Sequence, residues 1–477
     1  MFYLYINIFW KNSLLSITLK AKILFFLTFS LGQLLNGQSS LNVRFLDNWH
    51  NEQIISNSSE VRYNDCWGYV QNGIEYAVLG STEGVHFFKI KDDNTFQFIQ
   101  FIEGKFPSTA VVHRDLKIYK NFLYAVCDEG QSSLQIIDLS GLPNSVTVVA
   151  DNDTSFSKVH NLFIDEPNDL MYACSVTPII NGVQTSLIPM QVYSIANPIN
   201  PVLLYNGPND ISEVHDAYVR DNIAYLNCGF DGLRIYDFSD PTNPFFLQNE
   251  SIYQEQGYNH QGWMTPDGKT FVFADETNGK KVKKCSINDD NTINIDQYFG
   301  TNFEESSVPH NIMLDNNYAF IAYYNEGLRI YNLHNVEEIG HYDTYSSESS
   351  FKMNGAWGVY SDLPSGRILV SDRQNGIFLL AFDRSVFTTT HAGEVTIFPS
   401  LIENNTSLTI KINDPEITSF AIEILDSNGK ACFNQKITSN NYFTFQCDLS
   451  KGLYSIRIEY LDYVDDLFVI TKKIVVY

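Results

Sequence analysis

The sequence predicts an all-β protein, made of a seven-bladed β-propeller followed by a small Ig-like β-sandwich. The first observation is a pattern that recurs seven times, starting at Trp67, at Trp357 and at five histidines between them. Successive copies start 46, 47, 55, 45, 50 and 47 residues apart. Repeats of this length with several strands per copy are typical of propeller blades. The five histidines are His113, His160, His215, His260 and His310.

Each copy of the pattern predicts a set of antiparallel strands. An alternating segment follows the leading residue, then come a second segment rich in Ala, Tyr and Val, a short acidic or glycine turn, and a third apolar segment. The turn is Asp231-Gly in the copy that starts at His215 and Glu326-Gly in the copy that starts at His310. A fourth apolar segment follows in every copy except the seventh. Alternation interrupted by such turns predicts four-stranded sheets.

The two ends of the repeat region predict how the ring closes. The seventh copy stops after its third strand, at residues 377–382, and an apolar segment at residues 41–47 precedes the first copy. Pairing that segment with the seventh copy completes the last blade and covers both open sheet edges. We therefore expect the propeller to occupy residues 38–390.

The same topology predicts the position of the repeated histidines. If each blade runs from its inner strand outwards, the start of the first strand and the end of the second share one face, at the mouth of the central channel. The histidines there are candidate metal ligands, cross-blade hydrogen-bonding groups or ligand contacts, and the tryptophans are packing residues or stacking platforms. Candidate ligand-binding residues of this rim are His113, His160, His215, His260, His310, Trp67, Trp263 and Trp357.

The chemistry of the rim leaves the function open. Imidazole and carboxylate groups suit Zn²⁺, Ni²⁺ or Mn²⁺, so a divalent metal is a candidate cofactor with the five histidines as its candidate ligands. The sequence contains no nucleophile elbow, zinc-protease motif, phosphate loop or dinucleotide fingerprint, so no catalytic residue is assigned. One hypothesis is a binding or interaction module, and another is a metal-assisted hydrolase or lyase acting on extracellular polysaccharide. A purely structural surface protein is the third.

Charge and cysteine usage narrow the classes of partner. The chain has 31 basic and 55 acidic residues, and its net charge of −24 repels nucleic-acid phosphates and anionic lipid surfaces. We therefore expect no nucleic-acid partner. Three cysteines, Cys127, Cys174 and Cys228, recur at one position of the second strand and are expected to be small buried residues. Cys432 and Cys447 are candidates for a disulfide bond.

The N-terminus predicts an export signal. Residues 23–35 are apolar and follow Lys20 and Lys22, a pattern that is too short to span a bilayer comfortably and is typical of a signal-peptide core. We expect residues 1–37 to be the signal peptide and the mature chain to lack a transmembrane domain. The alternative is an N-terminal membrane anchor.

Residues 391–477 differ in character from the repeats. They contain Ile397-Phe-Pro-Ser, Asp426-Ser-Asn-Gly-Lys, Asp448-Leu-Ser-Lys-Gly-Leu-Tyr and, near the end, Lys472-Lys-Ile-Val-Val. This segment resembles the C-terminal sorting domain of type IX secretion substrates in Bacteroidetes, although Ile397-Phe-Pro-Ser replaces the family's usual Tyr-Pro-Asn-Pro. The resemblance implies the type IX secretion machinery as a partner and a secreted or outer-surface location. The alternative is an accessory Ig-like binding module.

Motifs within the repeats point to a second resemblance. His215-Asp-Ala-Tyr-Val, Gly232-Leu-Arg-Ile-Tyr-Asp-Phe, Gln135-Ile-Ile-Asp-Leu-Ser and Asn311-Ile-Met-Leu carry it. Over roughly residues 40–385 the chain resembles LVIVD-type repeats and the choice-of-anchor B family of secreted bacterial proteins. The resemblance implies an extracellular β-propeller that binds an unknown extracellular ligand or protein, and it supplies no catalytic residues.

Overall fold

The fold is almost entirely β-structure in the part of the chain that the structure describes. In this computed structural model, the described residues are 39–301, 307–345, 353–384, 395–398, 401–402, 407–412, 419–426, 430–438, 442–446, 448–461 and 467–476. The predicted signal peptide lies outside these residues. Within them, no helix is long and apolar enough to cross a membrane.

Seven antiparallel sheets of four or five strands follow one another between residues 40 and 382. Two short strands precede them, β1 (Ser40–Leu41) and β2 (Val43–Trp49). The first sheet contains β3 (Tyr63–Gln71), β4 (Ile74–Ser81), β5 (Gly84–Ile90) and β6 (Phe96–Glu103). The second contains β7 (Arg114–Tyr119), β8 (Phe122–Cys127), β9 (Leu134–Asp138) and β10 (Thr147–Asn152).

The third sheet carries the insertion that makes its repeat the longest. A 3₁₀ helix (Glu166–Asn168) joins its first two strands, and a small hairpin of β13 (Ile179–Ile180) and β14 (Val183–Gln184) precedes its third strand. This hairpin accounts for the step of 55 residues in the sequence. The four strands of the sheet are β11 (Asn161–Asp165), β12 (Leu170–Val176), β15 (Ile188–Ser194) and β16 (Val202–Asn206).

The remaining sheets repeat the same order. The fourth contains β17 (Asp216–Arg220), β18 (Ile223–Asn227), β19 (Leu233–Asp237) and β20 (Phe245–Glu250). The fifth contains β21 (Asn259–Met264), β22 (Thr270–Asp275), β23 (Val282–Ile287) and β24 (Ile293–Phe299). The sixth contains β25 (Ile312–Leu314), β26 (Tyr318–Ala322), β27 (Leu328–Asn332) and β28 (Glu338–Tyr342). The seventh contains β29 (Ala356–Tyr360), β30 (Arg367–Asp372) and β31 (Gly376–Phe382).

The N-terminal strands complete the last two sheets. Strand β2 pairs antiparallel with β31, with Trp49 opposite Ile377, so the seventh sheet gains its fourth strand from the start of the chain. Strand β1 instead pairs with β28, with Leu41 opposite His341. The segment expected to close only the seventh blade is therefore divided, because Leu41 belongs to the sixth sheet. The backbone bends at Asn42, whose φ is 52°.

The hydrophobic core lies between neighbouring sheets. Strands β3, β7, β11, β17, β21, β25 and β29 pack side by side in that order, and β29 also packs against β3. Ala77 and Leu79 of the first sheet share one buried cluster with Leu369 and Leu379 of the seventh. Fully burying an aliphatic side chain contributes roughly 1.5–3 kcal/mol, so these inter-sheet layers are a main source of stability.

The C-terminal region forms two further sheets over a shared core. One sheet contains β32 (Val395–Phe398), β34 (Ser407–Ile412) and β37 (Tyr442–Gln446). The other contains β33 (Leu401–Ile402), β35 (Ser419–Leu425), β36 (Ala431–Thr438), β38 (Gly452–Leu461) and β39 (Leu467–Val476). Ile410 of the first sheet is buried together with Ile422 and Ile456 of the second. Facing sheets with a common apolar core are typical of a β-sandwich.

The cysteines divide between the two regions. Cys127, Cys174 and Cys228 are buried, as expected for apolar positions of the second strand. Cys432 is exposed, whereas Cys447 lies outside the described residues, so the disulfide between them stays a prediction.

Candidate functional site

Six aromatic side chains form a closed circle at the start of the inner strands. We call this circle the crown, and it consists of five imidazole rings and one indole. Neighbouring ring centroids are separated by 5.1 Å for His113–His160, 4.2 Å for His160–His215, 4.2 Å for His215–His260, 4.3 Å for His260–His310, 4.1 Å for His310–Trp357 and 5.3 Å for Trp357–His113. The structure therefore brings all five repeated histidines together.

Backbone pairing places each crown residue at the head of its strand. His215 N donates to Asn227 O at 2.7 Å, and His310 N donates to Ala322 O at 2.8 Å. Both acceptors lie at the end of the second strand of the same sheet. The side chains consequently gather where the first strand begins and the second ends, which is the arrangement expected from the repeat.

The expected position of two tryptophans is wrong. Trp263 follows the crown residue of its strand, His260, by three positions and pairs with Val272 of the second strand. Trp67 has the equivalent register position in the first sheet, where it pairs with Val78. Asn64 therefore occupies the crown position in the first sheet. The rings of Trp67 and Trp263 instead meet each other at 6.5 Å, further along the inner strands. Among the three candidate tryptophans, Trp357 is the one that belongs to the crown.

Backbone carbonyl groups orient two of the crown histidines. The Nδ1–H of His215 donates to His260 O at 2.8 Å, and the Nδ1–H of His310 donates to Trp357 O at 2.7 Å. A carbonyl oxygen can only accept, so Nδ1 carries the hydrogen in each neutral ring and Nε2 keeps its lone pair. Each bond also joins one sheet to the next, which gives these histidines the cross-blade role that the sequence suggested.

Carboxylates, instead of carbonyl groups, lie beside the Nδ1 atoms of His160 and His113. His160 Nδ1 lies 2.9 Å from Asp128 Oδ2, and His113 Nδ1 lies 2.6 Å from Glu129 Oε1. Asp128 and Glu129 follow β8 directly, in the acidic turn that the sequence placed on this face. This side of the crown is the more open one, since the side chain of His113 is 31% exposed.

The two kinds of partner change the charge state of the rings. Burial alone would lower the pKa of His160, but the hydrogen bond and charge of Asp128 raise that pKa above its ordinary value. Burial and the neighbouring imidazoles hold the pKa of His215 and of His260 well below the usual range. Burial likewise lowers the pKa of His310. Three adjacent members of the crown are therefore neutral at physiological pH.

A partly buried carboxyl group that the sequence analysis did not single out faces the neutral side of the crown. Glu276 follows β22, and its Oε2 lies 3.9 Å from His260 Nε2. Its Oε1 accepts a hydrogen bond from the hydroxyl group of Tyr324. Burial raises the pKa of Glu276. The position after the second strand was a signal in the sequence, since Asp128 occupies the equivalent place in the second sheet.

A second polar layer lies one or two residues beyond the crown along the inner strands. Asp65 Oδ2 accepts from Leu116 N at 3.2 Å, and Asp115 Oδ2 accepts from Leu162 N at 2.8 Å, so these carboxylates also join adjacent sheets. Lys117 Nζ lies 2.6 Å from Asp115 Oδ1 in this buried layer. Part of the cross-blade bonding attributed to the histidines is therefore performed by aspartates.

Comparison with known proteins identifies the C-terminal region. Residues 397–477 match the family model described as the secretion system C-terminal sorting domain. The match confirms the resemblance predicted from the final motifs and indicates a secreted or cell-surface protein handled by type IX secretion. No curated protein matches the chain.

Solved structures resemble the chain only weakly. A computationally designed protein matches with 9% identity and a TM-score of 0.43, covering 90% of this chain and 100% of its own. The extracellular domain of a hybrid two-component system from B. thetaiotaomicron matches with 11% identity and a TM-score of 0.44. This match covers 90% of the present chain and 59% of the other chain. A protein from Lactobacillus plantarum has 12% identity and a TM-score of 0.46, with 81% of this chain and 100% of its own covered. Likeness at this level carries no function across.

Proposed function

We propose that the protein is an exported seven-bladed β-propeller that captures a cationic ligand at its crown. Seven sheets in chain order, inner strands that pack from β3 round to β29 and back, and the pairing of β2 with β31 support the closed ring. The propeller would occupy residues 38–390 and the sorting region residues 391–477. The resemblance to LVIVD repeats and the choice-of-anchor B family supports the same architecture.

One observation carries the binding function, namely the circle of six rings with oriented imidazoles. Because the Nδ1 atoms of His215 and His310 donate to carbonyl groups, their Nε2 atoms remain as acceptors. A cavity is lined by all five histidines together with Trp357, Asp65, Asp115 and Arg114, whose guanidinium donates to Ser81 O and Phe106 O. Lone pairs, aromatic faces and carboxylates in one recess favour a positively charged or hydrogen-bond-donating ligand.

The charge of the whole chain supports the same ligand class. The net charge of −24 attracts cations and repels anions, and a recess with low-dielectric walls strengthens that field. Anionic polymers are therefore poor candidates for the crown. Amines, basic protein segments and metal ions are compatible with it.

The sorting domain supports a place of action outside the cell. Such a domain directs the chain to the secretion machinery and implies either removal on release or attachment to the surface. A propeller exposed in this way would meet its ligand in the medium or on neighbouring surfaces.

A titration of metal-free protein tests the proposal. Putrescine and Zn²⁺ serve as cationic probes and glucose as a neutral control, with calorimetry and the fluorescence of Trp357 as readouts. We expect saturable binding of at least one cationic probe, no binding of glucose, and loss of binding in the His215→Ala/His260→Ala double variant. Trp357→Phe should remove the fluorescence response while calorimetry still reports binding.

The double variant also removes a cross-sheet hydrogen bond, so its folding must be checked by thermal unfolding. If it melts far below the native protein, the Asp128→Asn/Glu276→Gln variant replaces it, because both changes keep side-chain volume. Binding that persists unchanged in the folded crown variant would refute the proposal. So would the failure of both cationic probes to bind the native protein.

A further inference from the structure

We infer that His260, Glu276 and His310 form a binding site for one divalent transition-metal ion of the zinc class. The inference rests on the proposed function and makes it specific, because it names the ion and the three ligands within the crown. Two imidazole nitrogens and one carboxylate oxygen are an established ligand set for such ions.

The ligand atoms of the three residues lie slightly further apart than they would around a bound metal ion. One ligand atom from each residue lies within 4.8 Å of the other two, and His260 Nε2 lies 3.9 Å from Glu276 Oε2. Ligand atoms around a tetrahedral ion with bonds of about 2.0 Å lie about 3.3 Å apart. Side-chain movements of about 1 Å would therefore bring all three groups into coordination.

Groups behind two of the three ligands already hold them in orientation. The Nδ1–H of His310 donates to Trp357 O at 2.7 Å, which leaves Nε2 as the coordinating atom. The hydroxyl group of Tyr324 donates to Glu276 Oε1 and leaves Oε2 for the ion. Partners of this kind fix the tautomer of a metal-binding histidine and the direction of a carboxylate.

Burial makes this set selective and leaves room for a further ligand. His260 and His310 are 2% and 3% exposed, so the ion would lose most of its water on entry. The cavity beside the crown histidines supplies the open side, where a water molecule or an external ligand can complete the coordination. Hard ions such as Ca²⁺ and Mg²⁺ prefer oxygen ligands and would be disfavoured.

A second group of three residues, His113, Asp128 and His160, has similar spacing but different chemistry. There, Asp128 Oδ2 lies 2.9 Å from His160 Nδ1, so the carboxylate already forms a hydrogen bond with one of the imidazoles that would share the ion with it. In the group of His260, Glu276 and His310, Tyr324 holds Oε1 of the carboxylate, and Oε2 faces His260 Nε2 at 3.9 Å. The side of the crown that carries Glu276 is therefore the site.

Calorimetric titration of the metal-free, full-length protein tests the inference, with Zn²⁺ and Ni²⁺ as probes and Ca²⁺ as the control ion. We expect one Zn²⁺ per chain with a dissociation constant in the micromolar range or below, and no heat from Ca²⁺. Glu276→Gln keeps the acceptor for Tyr324 and should weaken Zn²⁺ binding at least tenfold. His310→Ala should weaken it at least a hundredfold.

The matched control is His334→Ala, which removes an exposed imidazole after β27, outside the crown, and should leave Zn²⁺ affinity within threefold of the native value. Zn²⁺ should also raise the melting temperature of the native protein and not that of His310→Ala, if His310→Ala remains folded. Equal losses for His334→Ala and Glu276→Gln would overturn the assignment. Putrescine binding without Zn²⁺ binding would overturn the metal site and leave the proposed function intact, whereas absence of both would remove both.

Discussion

The two sides of the crown use the same residue in the same repeat position and give it opposite properties. On one side, His215 and His310 donate to backbone carbonyl groups and are neutral and buried. On the other side, His160 and His113 meet the carboxylates of the turn after β8, and the pKa of His160 is raised. The partner of Nδ1, more than the position in the repeat, therefore decides the chemistry of each ring.

The largest expected difference between the two sides is in stability. His310→Ala removes a buried ring and leaves Trp357 O without its partner, so the free energy of unfolding should fall by about 2–4 kcal/mol. His113→Ala removes a ring that is 31% exposed and should lower that free energy by less than about 1 kcal/mol. Chemical denaturation of the metal-free proteins measures both values. Equal losses would remove the distinction between the sides.

The second difference is in the pH dependence of stability. His215 has a lowered pKa, so below about pH 6.5 the unfolded chain binds a proton at this side chain that the folded protein does not bind. The contribution of His215 to the free energy of unfolding therefore decreases as the pH is lowered. His215→Gln keeps a donor for His260 O and removes this titration. The stability advantage of the native protein over His215→Gln should therefore shrink by up to about 1.4 kcal/mol per pH unit below pH 6.5.

Denaturation of both proteins at pH 7, 6 and 5 measures this effect. A constant difference across that range would show that His215 titrates alike in the folded and unfolded states. The comparison between variants is needed because Asp216, whose pKa burial raises to about 7, contributes a slope of the opposite sign in both proteins.

The smallest expected effect is a change in the pKa of His160, on the side of the crown where carboxylates lie beside the histidines. Asp128→Asn removes the charge that raises the pKa of His160 most, so the pKa should fall, because burial is then opposed mainly by the smaller effects of Asp216 and Glu129. NMR titration of the histidine ring protons follows this change, with His215 as an internal reference that stays neutral. An unchanged pKa for His160 would show that another group sets it.

Much of the fold and part of the site could be predicted from the sequence. The repeat gives the sheets, the turns and the common face of the five histidines, because periodicity and turn chemistry are local properties. The position of Trp67 could not be predicted reliably, since Trp67-Gly-Tyr and Trp357-Gly-Val look alike and a bulge between Tyr63 and Cys66 sets the true register. The division of β1 and β2 between two sheets depends on the backbone turn at Asn42.

The chemical asymmetry of the crown lies beyond sequence patterns. Glu276 and Tyr324 come from different sheets and have no characteristic spacing, and they meet only after the sheets pack. The protonation state of each imidazole depends on its burial and on the acceptor beside its Nδ1 atom. Neither property can be read from the amino-acid sequence. The alternative of a metal-assisted hydrolase or lyase stays a hypothesis.

Anomalous diffraction at the zinc edge, from crystals of the full-length protein equilibrated with Zn²⁺, shows directly whether the crown binds a metal ion. We expect a single strong peak between His260, Glu276 and His310, inside a closed circle of the five imidazoles and the Trp357 indole. A map in which those six rings lie apart, or in which the peak falls elsewhere or is missing, would contradict this expectation.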